Sequence, residues 1–303
     1  MFQATSLSEN GPTFSRIISG VMTWGVWGKD YDTSSMNTLL NQVVDLGITT
    51  IDHADIYGHY TTEAAFGKAL AQSPELRSQI QLISKCGIKL VTPNRPNHKI
   101  KSYDTSKSHI LQSVDQSLRN LQTDYLDLLL IHRPSPLMDA DEIGEAFETL
   151  KAAGKVRHFG VSNFTVAQME LFASRFPIVT NQIEASLMHL DPFLDGTLDY
   201  CQTKRFSPMA WSPLGGAAFF GNPDNKSVQN IQKMARELGQ KYGGYQVDQI
   251  LLAWLLCHPA DILPVLGTGR IERLQAATVA AELQLSQEDW FALWSASTGV
   301  EVP

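Results

Sequence analysis

Eight short apolar or β-branched runs alternate with longer helical patterns between residues 16 and 266, and this alternation constrains the chain more than any other feature. Strands are predicted at 16–19, 49–52, 80–85, 125–132, 156–161, 180–184, 207–211 and 262–266. The run YLDLLLIH is apolar on both faces, as parallel strands covered by helices must be. Helical patterns follow each run, the first from Met36 with its cap near Ser34, and another ends at Gly154, a natural stop. Eight βα units within 303 residues predict an α/β chain forming a single closed (β/α)8 TIM barrel. Extra helices are predicted before the last strand and at the C-terminus, and residues 1–15 are predicted to cap the barrel floor. A doubly wound open sheet uses the same alternation, and strand number alone does not separate the two.

Composition excludes several classes of function. Net charge is −7, which argues against an extended electrostatic footprint for nucleic acid or an anionic membrane. A small anionic ligand held by local donors stays compatible with it. The three cysteines, Cys86, Cys201 and Cys257, are widely spaced and form neither a metal pattern nor a disulfide framework, so a reducing compartment and no bound metal are expected. The first residues lack the basic and apolar regions of a signal peptide, and the longest apolar run, Ile250 to Cys257, is too short to span a bilayer. The expectation is a cytoplasmic protein, a monomer or weak homo-oligomer.

Polar and reactive residues stand where the strands run out. The second strand ends at Asp52 with Tyr57 shortly beyond, the third at Lys85, the fourth at His132 and the fifth at Ser162–Asn163; the sixth carries Gln182, and the seventh ends at Trp211–Ser212. Barrel enzymes build their sites at this C-terminal face, where the strand ends converge. Each residue alone has an ordinary structural reading: a snorkelling lysine, a hydrogen-bonded histidine, a turn aspartate, a half-buried tyrosine. Together, Asp52, Tyr57, Lys85 and His132 suit reversible carbonyl reduction. A hydride arriving at a carbonyl carbon makes an alkoxide that needs a proton. Tyr57 can give it, Lys85 is expected to lower the tyrosine pKa, and Asp52 to hold the lysine charged. His132 can polarise the carbonyl oxygen.

The motifs DHADIYG (52–58), ISKCG (83–87), DYLDLLLIHRP (124–134), GKVRHFGVSNF (154–164), TNQIE (180–184) and MAWSPLGGA (209–217) occur in an order that resembles the aldo-keto reductase family over residues 16 to 290. The resemblance implies the same barrel, NADPH-dependent reduction of aldehydes or ketones to alcohols, and Tyr57 as proton donor. No GxGxxG opens a helix here, so a Rossmann site is not expected; the resemblance implies NADP(H) lying across the barrel mouth instead. On that carry-over Thr23 and Trp24 approach the nicotinamide ribose, and Ser162, Asn163 and Gln182 hold the carboxamide. Trp211 stacks on the ring, and Ser212, Leu214 and Gly216 approach the pyrophosphate. Gly267, Thr268, Arg270 and Arg273 match the segment for the adenosine 2′-phosphate. The family often has a lysine where this chain has Gly267, which leaves NAD(H) use open. A second departure is His53, read as structural because it points to the opposite strand face from Asp52.

The long connection 87–104 is expected to overhang the pocket with Trp24 and Trp27 as substrate contacts, favouring a small-molecule carbonyl substrate with an apolar body. Two other classes are compatible with the residues. One is a cofactor-binding regulatory protein on the same fold, as the potassium-channel β subunits resemble. The other is an aldolase using Lys85 as a Schiff base, against which the Ser162, Asn163, Gln182 and Trp211 set argues.

Overall fold

The computed structural model describes residues 4–302. Eight parallel strands close into a barrel: β1 (Ile18–Gly20), β2 (Thr50–Asp52), β3 (Gln81–Cys86), β4 (Leu126–Ile131), β5 (Val156–Ser162), β6 (Asn181–Glu184), β7 (Met209–Trp211) and β8 (Leu263–Leu266). They pair in chain order, and β8 closes on β1 with Val265 opposite Ile18. This closure rules out the open sheet. The first strand begins two residues later than its apolar run, because Arg16 is used differently. Its guanidinium donates to the carbonyls of Leu256 and Ile262, tying the start of β1 to the segment before β8.

All six residues of β4 are buried, as expected of a strand with the barrel interior on one face and helices on the other. Leu128 and Leu130 face inward with Ile18, Ile83, Met209, Leu263 and Val265. Outside, Phe147 of the helix Ala140–Ala152 stacks on Phe159 of β5 with ring centroids 4.2 Å apart. Burying each such side chain contributes about 1.5–3 kcal/mol. The first barrel helix, Thr33–Asp45, is capped by Asp32 rather than Ser34; the Asp32 carboxylate accepts from the Ser35 amide at 2.7 Å.

The floor of the barrel is plugged. An antiparallel hairpin of Ala4–Ser6 and Thr13–Ser15 places Leu7 and Phe14 against the inward-facing residues. Residues 1–3 of the expected cap lie outside the described residues. The other end is left open for chemistry.

Between β7 and β8 run the helices Lys226–Lys241 and Val247–Leu256, and Gln287–Thr298 follows at the C-terminus. The last helix is fixed by Trp290, whose ring stacks on Trp254 at 4.8 Å while each indole N–H donates to the other residue's carbonyl. A short helix, Gly216–Phe220, had no helical signal in the sequence. The 87–104 connection carries a small antiparallel pair, Ile88–Lys89 with Ser102–Tyr103. No helix among the described residues is long and apolar enough to cross a membrane.

Candidate active site

Parallel closure brings the ends of β2, β3 and β4 side by side, with Asp52 beside Ile83 and Lys85 beside Leu130 in register. Lys85 is fully buried, and its ammonium finds three acceptors: Asp52 Oδ2 at 2.7 Å, the His53 carbonyl at 2.8 Å and Tyr57 Oη at 3.2 Å. An ammonium has three N–H donors, so every one is matched. Because Tyr57 accepts from Lys85, its own hydroxyl proton remains to be given away. Asp52 Oδ1 accepts from Gln182 Nε2 at 3.0 Å, which fixes the second carboxylate oxygen.

Tyr57 is held in place by the turn that follows it. Gly58 has φ 57°, and a Cβ there would lie 2.5 Å from Thr62 Oγ1, so only glycine fits. Two residues on, Tyr60 Oη donates to the Ile88 carbonyl and accepts from the Leu90 amide, pinning the overhanging connection to the same turn.

Burial and charge compete at these groups. Burial pushes the Tyr57 phenol up, Lys85 pulls it back, and the net movement is upward. Lys85 thus lowers the phenol as expected, but desolvation outweighs the ammonium and the net direction is upward. Burial pulls Lys85 down, but Asp52 and Tyr57 more than reverse this, so it stays charged. Burial, reinforced by Lys85, holds His132 well below the ordinary histidine range, so the imidazole is neutral. Its Nδ1 is buried without a hydrogen-bond partner. His53 is also fully buried with neither nitrogen bonded, packed edge-on against Phe66 at 4.4 Å. It points away from Asp52, as expected of a structural residue.

Asp52, Tyr57 and His132 open onto a cavity of about 980 Å³. It runs past Ser162, Asn163, Gln182 and Trp211 to Thr268 and Arg273, with Trp27, Ile88 and Tyr103 above. The wall is a hydrogen-bonded chain. Trp211 Nε1 donates to Asn163 Oδ1 at 2.9 Å, Asn163 Nδ2 to Ser162 Oγ at 2.7 Å, and Ser162 Oγ to the Gln182 carbonyl at 2.8 Å. Among the described residues no group of three His, Cys, Asp or Glu side chains is placed to hold a metal.

The sequence profile of the Aldo/keto reductase family matches residues 16–297. The chain belongs to the aldo/keto reductase family. Among curated proteins it is 48% identical to the uncharacterized oxidoreductase YcsN of Bacillus subtilis, over 96% of each chain. It is 44% identical to a 6-dehydroglucose reductase of Agrobacterium fabrum, covering 95% of this chain and 96% of that one. Among solved structures it resembles the thermostable aldo-keto reductase Tm1743, determined with the inhibitor epalrestat, with a TM-score of 0.81 and 30% identity over 97% of this chain and 99% of that one. The protein is thus an oxidoreductase of this family with a TIM barrel fold.

Within this aldo/keto reductase, not every residue named from the sequence reaches the cavity. Ser162, Asn163, Gln182, Trp211, Ser212, Leu214, Gly216, Gly267, Thr268 and Arg273 line it, as does Trp27. Trp24 does not, and its assignment to ribose and substrate is corrected. The residue is fully buried, 6.3 Å from Phe66, because the loop after β1 turns back through a Trp24 amide to Val21 carbonyl bond. Thr23 is likewise drawn aside, its hydroxyl donating to the Gly267 carbonyl at 2.6 Å; Met22 lines the cavity in its place. Arg270 also lies off the cavity wall, exposed and 4.0 Å from Glu272. The sequence reading passed over Arg133, next to His132 in the chain, and Lys101 of the overhanging connection. Both line the cavity.

Proposed function

We propose that this protein is an NADPH-dependent reductase of aldehydes or ketones, with Tyr57 as the proton donor. The observation that carries the reading is the Lys85 ammonium bridging Asp52 and Tyr57 Oη at the inner end of a cavity large enough for a dinucleotide and a small substrate.

The donor set suits a nicotinamide dinucleotide. Ser212, Leu214 and Gly216 line the cavity after β7, and with no side chain at Gly216, φ 49°, the backbone can approach a pyrophosphate closely. Thr268 and Arg273 lie on the wall formed after β8, and a guanidinium suits a 2′-phosphate. At Gly267 a Cβ would meet nothing within 4 Å, so the space of the family's usual lysine is open and NADH is a second candidate cofactor. When bound, the nicotinamide supplies a hydride to the carbonyl carbon. Tyr57 gives its proton to the carbonyl oxygen, and the phenolate left behind is stabilised by the N–H that Lys85 already directs at Oη. Asp52, held by Gln182, keeps Lys85 charged and aimed. Neutral His132, with Nδ1 unpartnered, can carry its proton on Nε2 and donate it to the carbonyl oxygen. Trp27 and Trp211 add apolar surface to the wall at this end.

The test follows nicotinamide absorbance with a panel of aldehydes and ketones, including 6-dehydroglucose, under NADPH and NADH in turn. Oxidation of NADPH dependent on a carbonyl is the expected result. No consumption of either cofactor with any carbonyl overturns the reading.

A further inference from the structure

Of the cations on the cavity wall, Arg133 and Lys101 belong neither to the proton-transfer network nor to the wall after β7 and β8. Arg133 follows His132 directly, is half-buried, and holds its guanidinium 5.4 Å from the Trp211 ring centroid. Lys101 reaches the same cavity from the connection that overhangs it. Neither is in an ion pair among the described residues. Both line the same cavity as His132, and both charges act on its imidazole, behind burial and Lys85.

No acid answers them. Asp52 is the carboxylate at this end of the cavity, and both of its oxygens are taken, by Lys85 and Gln182. Asp248 lies in the cavity wall after β7, as do Arg236, Ser212, Leu214 and Gly216. Lys85 and Asp52 cancel, Tyr57 and His132 are neutral, and so two unmatched positive charges face the substrate in a chain of net charge −7. They follow β3 and β4, whereas Thr268 and Arg273, suited to a 2′-phosphate, follow β8, which stands opposite β4 in the closed barrel. A half-buried guanidinium with its planar fork unpaired is a site for an oxyanion.

We propose that Arg133 and Lys101 bind an anionic oxygen group, carboxylate or phosphate, on the carbonyl substrate, and so select aldehydes or ketones that carry an acid. The proposal rests on the carbonyl-reductase reading. The aromatic faces of Trp27 and Trp211 suit an apolar body between the carbonyl and the acid.

The experiment compares 4-formylbenzoate, its uncharged methyl ester and 4-formylphenyl phosphate under saturating NADPH. Wild type is expected to favour at least one anion over the ester by about tenfold or more in kcat/KM, mostly through KM. Whichever anion is preferred identifies the group. Arg133→Met and Lys101→Met should each shrink the anion-to-ester ratio, Arg133→Lys should retain part of it, and added salt should erode it. The ratio is internal to each variant, so impaired folding does not mimic the result. Benzoate binding, followed by tryptophan fluorescence, reads the anion site without turnover. Reduction of the ester with no anion preference and no benzoate binding overturns this proposal and leaves carbonyl reduction standing. A variant that lowers NADPH affinity in the absence of substrate, with the ratio intact, also overturns it by assigning the cation to the cofactor. No reduction of any carbonyl overturns the underlying reading instead.

Discussion

Replacing Lys85 by methionine separates stability from catalysis at this site. The variant leaves Asp52, 2% exposed, with one hydrogen bond from Gln182 and no counter-ion. Breaking a buried pair in this way costs about 3–5 kcal/mol of folding stability. The same change removes the charge that faces Tyr57 Oη at 3.2 Å. At an effective dielectric of about 20, a unit charge at that distance stabilises a phenolate by about 5 kcal/mol, while a charge-assisted hydrogen bond contributes about 1.5–3 kcal/mol. Carbonyl reduction should therefore fall by about 10²- to 10⁴-fold in kcat, with a smaller effect on cofactor binding. Adding Asp52→Asn to Lys85→Met removes the orphaned charge and should recover most of the lost stability without restoring turnover, since a neutral replacement of a buried pair is close to neutral in energy. Urea unfolding gives the stabilities, and NADPH absorbance under single-turnover conditions gives the rates. Turnover of Lys85→Met within threefold of wild type refutes the coupling of Lys85 to Tyr57. A double variant as unstable as the single one refutes the charge argument.

Two further expectations concern pH. Because burial lifts Tyr57 above the ordinary tyrosine pKa of about 10, the phenol form persists through neutral pH. Reduction rates should be level from about pH 6 to 9, while oxidation of the alcohol, which needs the phenolate, should rise with pH across the same range. A reduction rate that falls tenfold between those limits contradicts the assignment. His53 is pulled down to about 3 by burial and by Lys85. Above the unfolded pKa of about 6.5 both states are neutral; as pH falls from there toward 3 the unfolded chain binds a proton that the native state refuses. The native state should lose about 3 kcal/mol from this group by pH 4.5. The His53→Leu variant should lose correspondingly less between pH 7 and 4.5 in urea titrations, and an unchanged difference would rule out His53 as a source of acid sensitivity.

Much of the site was legible because a parallel barrel turns sequence order into a ring. Asp52, Lys85 and His132 sit within one residue of the ends of β2, β3 and β4, and closure alone brings such residues together. What chain order does not carry is the direction of a loop side chain. Trp24 and Met22 are neighbours in one loop, yet the turn onto Val21 buries the first and exposes the second to the cavity. Arg133 was one residue from a predicted site residue and was passed over, because its lack of a carboxylate partner is a property of three-dimensional packing. The direction of the Tyr57 pKa was hidden for a related reason. It depends on how far burial outweighs a lysine 3.2 Å away, and sequence reports the lysine but not the burial. The helix Gly216–Phe220 is too short to have a period.

Proton delivery by Tyr57 is best tested by Tyr57→Phe in a single-turnover reduction with NADPH prebound. The variant deletes one oxygen and leaves the Lys85–Asp52 pair in place. The predicted result is NADPH binding close to wild type by fluorescence titration, with the reduction step slowed by about 10²- to 10⁴-fold. Hydride transfer within tenfold of the wild-type rate would show that the proton comes from another group.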